Sequence, residues 1–410
     1  MSMPRAVRHI NEIRILDALF HKGPMSRADL GRELGLMRST AGNLVAGLAR
    51  DGLVTDLRDE PSGRSPRTGR PGSSVGLNAA HSYFVGAEIA VGRITAVVLD
   101  LGGSVLARRQ ASFAPEGNEA AAVADALAGA VTRIAADVAR PDAIRGLNVA
   151  IAGLLDHDGR VLSAPLLGWV DVPLLDMLRA RLPAMPLIVA ENDANAFAAA
   201  ELQRAGGGDT ASALFVFLDA GVGGGIVQDG QLLRGHRGYA GEIGHIHVGE
   251  RGFRPSMALP GSLESFVGRD AIVARHGAHG GRSATLDDLL AACAAGEAAA
   301  MTTAAEWSFY LGRGLATLTS VLDPEAVVLG GPVAALLAHA GRGVMDAMRS
   351  HLMPNRPLPA LRASSVGADA PAVGAASLLH RGMLSFDKDL VFNGAGRDPA
   401  ARPARRPPTA

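Results

Sequence analysis

A single cysteine, Cys293, occurs in 410 residues. That excludes an internal disulfide framework and any zinc site built from several cysteines. No run approaches the roughly 18 consecutive apolar residues of a membrane-spanning helix. The first segment, Met1 to His21, is amphipathic and carries acids, unlike a secretory signal. A cytosolic, soluble protein without membrane contact is expected. Lysine is nearly missing, at Lys22 and Lys388 alone, so the positive charge is arginine. Net charge is missing too, since 40 Lys+Arg balance 40 Asp+Glu. With 48% hydrophobic and 20% charged residues, the composition is neither disordered nor fibrous. The length suits two to four domains, at roughly 100–200 residues each.

The charge is unevenly spread. Residues 1–76 hold 12 basic against 8 acidic residues, and 394–410 hold 4 against 1. The stretch between, 77–393, holds 24 against 31. A basic head on an acidic body favours a phosphate-rich partner for the head.

In the head, Val7, Ile10, Ile13, Leu16 and Leu19 recur at helical spacing up to a turn at His21-Lys22-Gly23-Pro24. Ser26 reads as the N-cap of a short second helix that stops at Leu34-Gly35-Leu36. A third helix begins near Arg38. It turns Ala41, Leu44, Val45 and Leu48 to one side and Ser39, Gly42, Asn43 and Ala46 to the other. Three short helices with a tight turn before the last make a helix-turn-helix pattern. Leu53–Thr55 and Ser73–Leu77 then read as a hairpin, with a loop between them almost free of apolar residues. That loop carries Arg58, Arg64, Arg67 and Arg70, and its Gly69-Arg70-Pro71 tip suits insertion into a minor groove. A winged helix-turn-helix over residues 1–78 is expected, with double-stranded DNA as partner. Arg38, Ser39, Thr40 and Asn43 are the candidate readers, and Arg64, Arg67 and Arg70 the wing contacts. Any small helical subdomain is the bland rival.

The body alternates strands with helices, an α/β pattern. Tyr83–Ile89 and Ile94–Asp100 read as a hairpin. A long alanine-rich helix (about 118–139) precedes a strand at 146–152. Further strands fall at 187–192, 213–218 and 326–330.

The motifs Glu191-Asn192-Asp193-Ala194-Asn195, Gly221-Val222-Gly223-Gly224-Gly225 and Gly238-Tyr239-Ala240-Gly241-Glu242-Ile243-Gly244-His245 resemble the ROK family. Gly261-Ser262-Leu263-Glu264 and Leu329-Gly330-Gly331 add to the match, which covers nearly the whole chain. The family groups sugar kinases with sugar-responsive repressors, and the repressors carry a winged-helix head. The resemblance implies a two-lobed, actin-like ATPase fold over residues 79–388, with sugar bound in the cleft. Asp193 matches the position of the catalytic base, which accepts the proton of the attacking hydroxyl. Asn192, Asp193, Glu242, His245 and Glu264 match ligand-contacting positions. The rival reading of Asp193 is a helix N-cap.

Departures from the kinases decide the expected activity. Their first phosphate loop, Asp-x-Gly-Gly-Thr, is Glu88-Ile89-Ala90-Val91-Gly92 here. Their second begins Gly-Thr-Gly, and here it begins Asp219-Ala220-Gly221. A carboxylate about 4 Å from a phosphate charge costs several kcal/mol at intermediate dielectric. No useful ATP binding is therefore expected, and Asp193 becomes a vestige of catalysis. The family's zinc ligands are also replaced: His245 stays, but Pro255, Met257 and Ser262 stand at the cysteine positions. No metal and no cofactor are expected, and packing of Phe253, Met257 and Leu259 is expected to hold that loop instead. Leu166 stands where many relatives carry asparagine, which puts the usual hexose in doubt. A transcriptional repressor results, cytoplasmic and nucleoid-associated, released from its operator by a sugar or sugar phosphate. A homodimer, or a dimer of dimers, fits paired half-sites. Residues 389–410, rich in Pro, Ala and Arg, are expected to form a disordered tail. An ATP-dependent sugar kinase, and a sensor without DNA binding, are the alternatives.

Overall fold

The structure is a computed structural model that describes residues 3–57, 74–113, 119–156, 158–204, 211–250, 259–282 and 284–384. The head contains helices α1 (Met3–Lys22), α2 (Arg27–Leu34) and α3 (Arg38–Arg50). Ser26 caps α2, its hydroxyl oxygen accepting the Asp29 N–H at 3.1 Å. Gly35 ends the helix at φ 65°, left-handed backbone that glycine adopts without a Cβ penalty. The chain therefore reverses sharply into α3. Strands β1 (Met25–Ser26), β2 (Val54–Leu57) and β3 (Ser74–Leu77) form a small sheet in the order β1-β3-β2. The expected hairpin is β2 and β3, joined antiparallel from Val54↔Leu77 to Leu57↔Ser74. Strand β1 is an addition, held on the free edge of β3. The wing tip, with Arg64, Arg67 and Arg70, lies outside the described residues.

The head shares its hydrophobic core with the body. Ile15, Leu16, Leu19, Leu30, Leu44, Val45 and Leu48 from the three helices join Phe84, Val97, Leu99, Leu101, Ala376 and Leu379 in one buried cluster. The connector at residue 78 is pinned at both ends. The Asn78 N–H and side-chain amide donate to Leu53 O (2.9 Å) and Gly52 O (2.8 Å). The Leu101 N–H donates to Ala79 O.

The body repeats one sheet plan twice. The first lobe has β4 (Tyr83–Ala90), β5 (Arg93–Asp100), β6 (Val105–Ser112), β7 (Ile144–Ile151) and, after a small sheet, β11 (Ile188–Asn192). Its order is β11-β7-β4-β5-β6. The small sheet is β8 (Leu154–Leu155), β9 (Val161–Ala164) and β10 (Trp169–Val172). Helices α4 (Ala120–Ala135) and α5 (Leu174–Arg181) cover one face of the lobe. Helix α4 ends earlier than its alanine content predicts. Asp137 turns away to pair with Arg109 of β6 at 2.8 Å, and Pro141 follows.

Helix α6 (Asp193–Arg204) leads into the second lobe, with β12 (Ser212–Leu218), β13 (Val222–Gln228) and β14 (Gln231–Leu232). Next come α7 (Leu263–Val267), α8 (Arg269–Ala278), α9 (Leu286–Ala294), α10 (Ala298–Leu322), β15 (Ala326–Gly330), α11 (Leu337–His351) and β16 (Ala360–Ala363). The order β14-β13-β12-β15-β16 matches that of the first lobe: three antiparallel strands, then two parallel ones. Helix α12 (Ala370–Met383) returns to the first sheet and crosses α6. Helix α6 is rich in alanine and α12 in alanine and glycine, so their backbones approach closely. A Cβ added at Gly374 would lie 1.6 Å from the Ala196 carbonyl oxygen.

Candidate functional site

The cleft opens where the ends of β4, β11 and β12 face one another. Asn192 closes β11 and caps α6. Its Oδ1 accepts the N–H groups of Ala194 (2.9 Å) and Asn195 (3.3 Å), and its amide donates to Gly153 O (3.4 Å). The rival role considered for Asp193 thus falls chiefly to its neighbour, although Asp193 also accepts the Ala194 N–H at 2.9 Å. Asp193 faces the cleft. Burial, with the nearby charges of Asp219 and Glu242, pushes its carboxyl up to about 7.

Glu242 and His245 reach the site on a turn laid flat on β13. Gly241 has φ 101°, and its carbonyl accepts the Gly224 N–H at 2.9 Å. A Cβ at Gly241 or Gly244 would meet the carbonyl oxygen of Gly224 or Val222 at 2.0 or 2.2 Å, so only glycine allows this contact. Glu242 Oε2 lies 3.7 Å from His245 Nδ1. Glu264, in the first turn of α7, accepts the Val222 N–H at 2.9 Å. Burial raises the carboxyls of both Glu242 and Glu264 above the usual range. The sequence-derived ligand residues Asn192, Asp193, Glu242, His245 and Glu264 are thus brought to one place. Asn192 has the least free hydrogen-bonding capacity, since the helix end uses its carbonyl oxygen.

A cavity of ≈ 200 Å³ adjoins Asp193. Glu88, Val91 and Arg93 line it from the first lobe, and Asp219, Gly221 and Arg269 from the second. Glu88 is 4% exposed, and burial pushes its carboxyl up to about 8 against the pull of Arg93, 3.8 Å away. Asp219 is no bare carboxylate, as the sequence had implied. Arg269 Nη1 donates to it at 2.8 Å, and the Arg269 N–H donates to its carbonyl at the same distance. The ion pair occupies the turn where the second phosphate loop would stand, and it reduces the repulsion expected of Asp219 alone. Leu166 also lines this cavity.

Sequence reasoning missed the support under these residues. Arg234 donates to Glu191 Oε2 at 2.8 and 3.1 Å, and the Asn195 amide donates to Oε1 at 3.0 Å. The network braces the strand end that carries Asn192 and Asp193. Only the position of Glu191 inside its motif hinted at it. Among the described residues no three His, Cys, Asp or Glu side chains are grouped to hold a metal. Ser262, at one former cysteine position, caps α7 through its side chain. Pro255, Met257 and Phe253 lie outside the described residues. Leu259 is 54% exposed, which corrects its expected packing role.

On the head, Arg38, Ser39 and Asn43 are exposed along α3, while Thr40 is half-buried. Among the described residues no helix is long and apolar enough to cross a membrane.

A winged helix-turn-helix on a two-lobed, actin-like ATPase body, with a carboxylate-lined cleft, defines the class of the protein. Residues 84–382 match the ROK family, and the chain belongs to it. A xylose repressor of Bacillus spizizenii is 24% identical over 389 residues, 93% of this chain and 98% of the relative. A glucokinase of Halalkalibacterium halodurans is 32% identical over 265 residues, 59% of this chain and 78% of the relative. Among solved structures, a ROK family transcriptional regulator homologous to the MLC protein of E. coli matches with TM-score 0.75 and 23% identity. That match covers 95% of this chain and 100% of the other.

Proposed function

We propose that this protein is a DNA-binding transcriptional repressor of sugar metabolism whose cleft senses a sugar or sugar derivative. One observation carries the reading: α3 presents exposed Arg38, Ser39 and Asn43 from a head whose core is continuous with the lobe that holds the cleft. The match over head and body together to a xylose repressor supports it, whereas the glucokinase match covers a smaller share. Duplex DNA is the partner of the head, with Arg64, Arg67 and Arg70 adding contacts from the wing. The functional units are residues 1–78 for DNA, 79–388 for the sugar and 389–410 as a tail. A homodimer places two heads on paired half-sites, and the protein works in the cytoplasm, on the nucleoid.

The cleft works as a sensor without catalysis. Asp193, Glu242, His245 and Glu264 bind adjacent hydroxyls, which carboxylates and imidazoles suit. Beyond them lies a cavity of ≈ 200 Å³, lined by Glu88, Arg93, Asp219 and Arg269. Electrophoretic mobility shifts across a panel of sugars and sugar phosphates test this. One sugar should release the DNA; release by none would reduce the protein to a constitutive DNA binder.

The second reading is a ROK sugar kinase. The Asp193 carboxyl, at about 7, is well placed on the pKa scale for a general base near neutral pH. The Asp219 carboxylate in the phosphate turn opposes it, although Arg269 offsets part of that charge. A coupled assay for ADP release, with the same sugars, separates the two.

A further inference from the structure

Met37 is 73% exposed, a large apolar side chain left in solvent. It stands where the turn after α2 meets α3, directly before Arg38. Its backbone, at φ −60° and ψ 143°, has the extended geometry of a helix N-cap, yet its side chain makes no cap hydrogen bond. Serine, threonine, asparagine and aspartate stabilise such positions, as Ser26 does for α2. Met37 therefore gives α3 neither a cap nor core packing. Gly42, further along α3, repeats the pattern. A Cβ built there has nothing within 4 Å, so no neighbour requires glycine, although glycine weakens a helix relative to alanine. Two positions beside the candidate readers thus forgo helix stability with no return inside the protein.

The major-groove edges of DNA present one apolar group, the C5-methyl of thymine. Methionine is flexible and polarisable, and it packs well on irregular apolar targets. We infer that Met37 is a specificity-determining residue that reads a thymine methyl beside the bases contacted by Arg38 and Asn43, with Gly42 leaving the helix room to approach. The inference rests on the DNA-binding reading above. An arginine and an asparagine at this helix end read hydrogen-bonding edges; Met37 adds the apolar element of the code.

The test begins with duplexes selected from a random pool by the full-length protein. Each thymine of the selected site is then replaced by deoxyuridine, which lacks only the methyl. Wild type should lose about fourfold in affinity at one thymine per half-site, the worth of one buried methyl. Met37→Ser should bind the thymine and deoxyuridine duplexes equally, and should melt at a higher temperature because serine caps α3. Stability and specificity then move in opposite directions, which a merely structural residue would not produce. Identical deoxyuridine profiles for the two proteins, or a lower melting temperature for Met37→Ser, would overturn the inference. Failure of wild type to select any duplex would instead remove the DNA-binding reading, and this contact with it.

Discussion

The phenyl ring of Phe20 packs against the imidazole of His380, with ring centroids 4.6 Å apart. Phe84 closes on the same imidazole at 5.2 Å, nearly perpendicular. Phe20 lies in the last turn of the head's first helix, while His380 belongs to α12, which lies on the first-lobe sheet and crosses α6. Asp193 of the cleft is the first residue of α6. Head and cleft are therefore joined by two helices in backbone-to-backbone contact, locked where Gly374 meets Ala196. A sugar that shifts α6 has a short, stiff route to the DNA-binding helices.

Phe20→Ala tests that route. The variant should bind operator and sugar separately, each within a few-fold of wild type. The sugar should release the operator much less, because coupling is a free-energy difference that both ligands must share. Fluorescence anisotropy of labelled operator, titrated with sugar, measures it. Undiminished release would place the coupling elsewhere.

The same imidazole makes the docking of the head sensitive to acid. Burial holds His380 neutral and lowers it from the usual 6.5 to about 4; the Leu101 carbonyl, 2.8 Å from Nε2, opposes this, and the charges of His21 and Arg381 add to it. A lowered histidine contributes stability that is present above about pH 6.5 and is lost as the pH falls through about 4. Wild type should lose about 2 kcal/mol more than His380→Gln between pH 7.5 and pH 5. Denaturant melts at the two pH values measure the difference, and equal losses would refute the assignment.

Glu88 titrates with the opposite sign. Burial raises its carboxyl from 4.5 to about 8, so its contribution is full below about pH 4.5 and is lost as the pH rises through about 8. Glu88→Gln should remove that slope. Relative to wild type it should gain up to about 3 kcal/mol in moving from pH 5 to pH 8. A gain that is flat with pH would mean that Arg93 already compensates the charge.

Much of this was legible in the sequence, and the exceptions share a cause. The boundaries of α2 and α3 follow from Ser26 and Gly35, whose effects are local. Strands β4, β5, β7, β12 and β15 announce themselves as apolar runs such as Ala213–Leu218, because both faces are buried, whereas the exposed edge strand β6 and the glycine-rich β13 do not. Strand β1 does not, since two residues become a strand only by meeting β3. The cleft residues were found from their motifs. The cap formed by Asn192 and the pairing of Asp219 with Arg269, 50 positions away, were not. Such relationships depend on where the chain returns, which no spacing encodes.

The reading face of α3 gives the final prediction. Arg38 and Asn43 are exposed there with side chains suited to guanine and adenine edges. Arg38→Ala and Asn43→Ala should each cost about 1–3 kcal/mol on the selected site and relax preference at one base pair. Neither should change sugar affinity, because the cleft residues are untouched. A wing variant such as Arg70→Ala should behave differently. It should flatten the salt dependence by about one counterion and weaken duplexes with a narrow, A·T-rich minor groove most, whatever bases α3 meets. Binding measured from low to high salt on selected and scrambled duplexes separates the two patterns. Were Arg38→Ala to weaken both duplexes equally, α3 would be gripping phosphates and sequence would be read elsewhere.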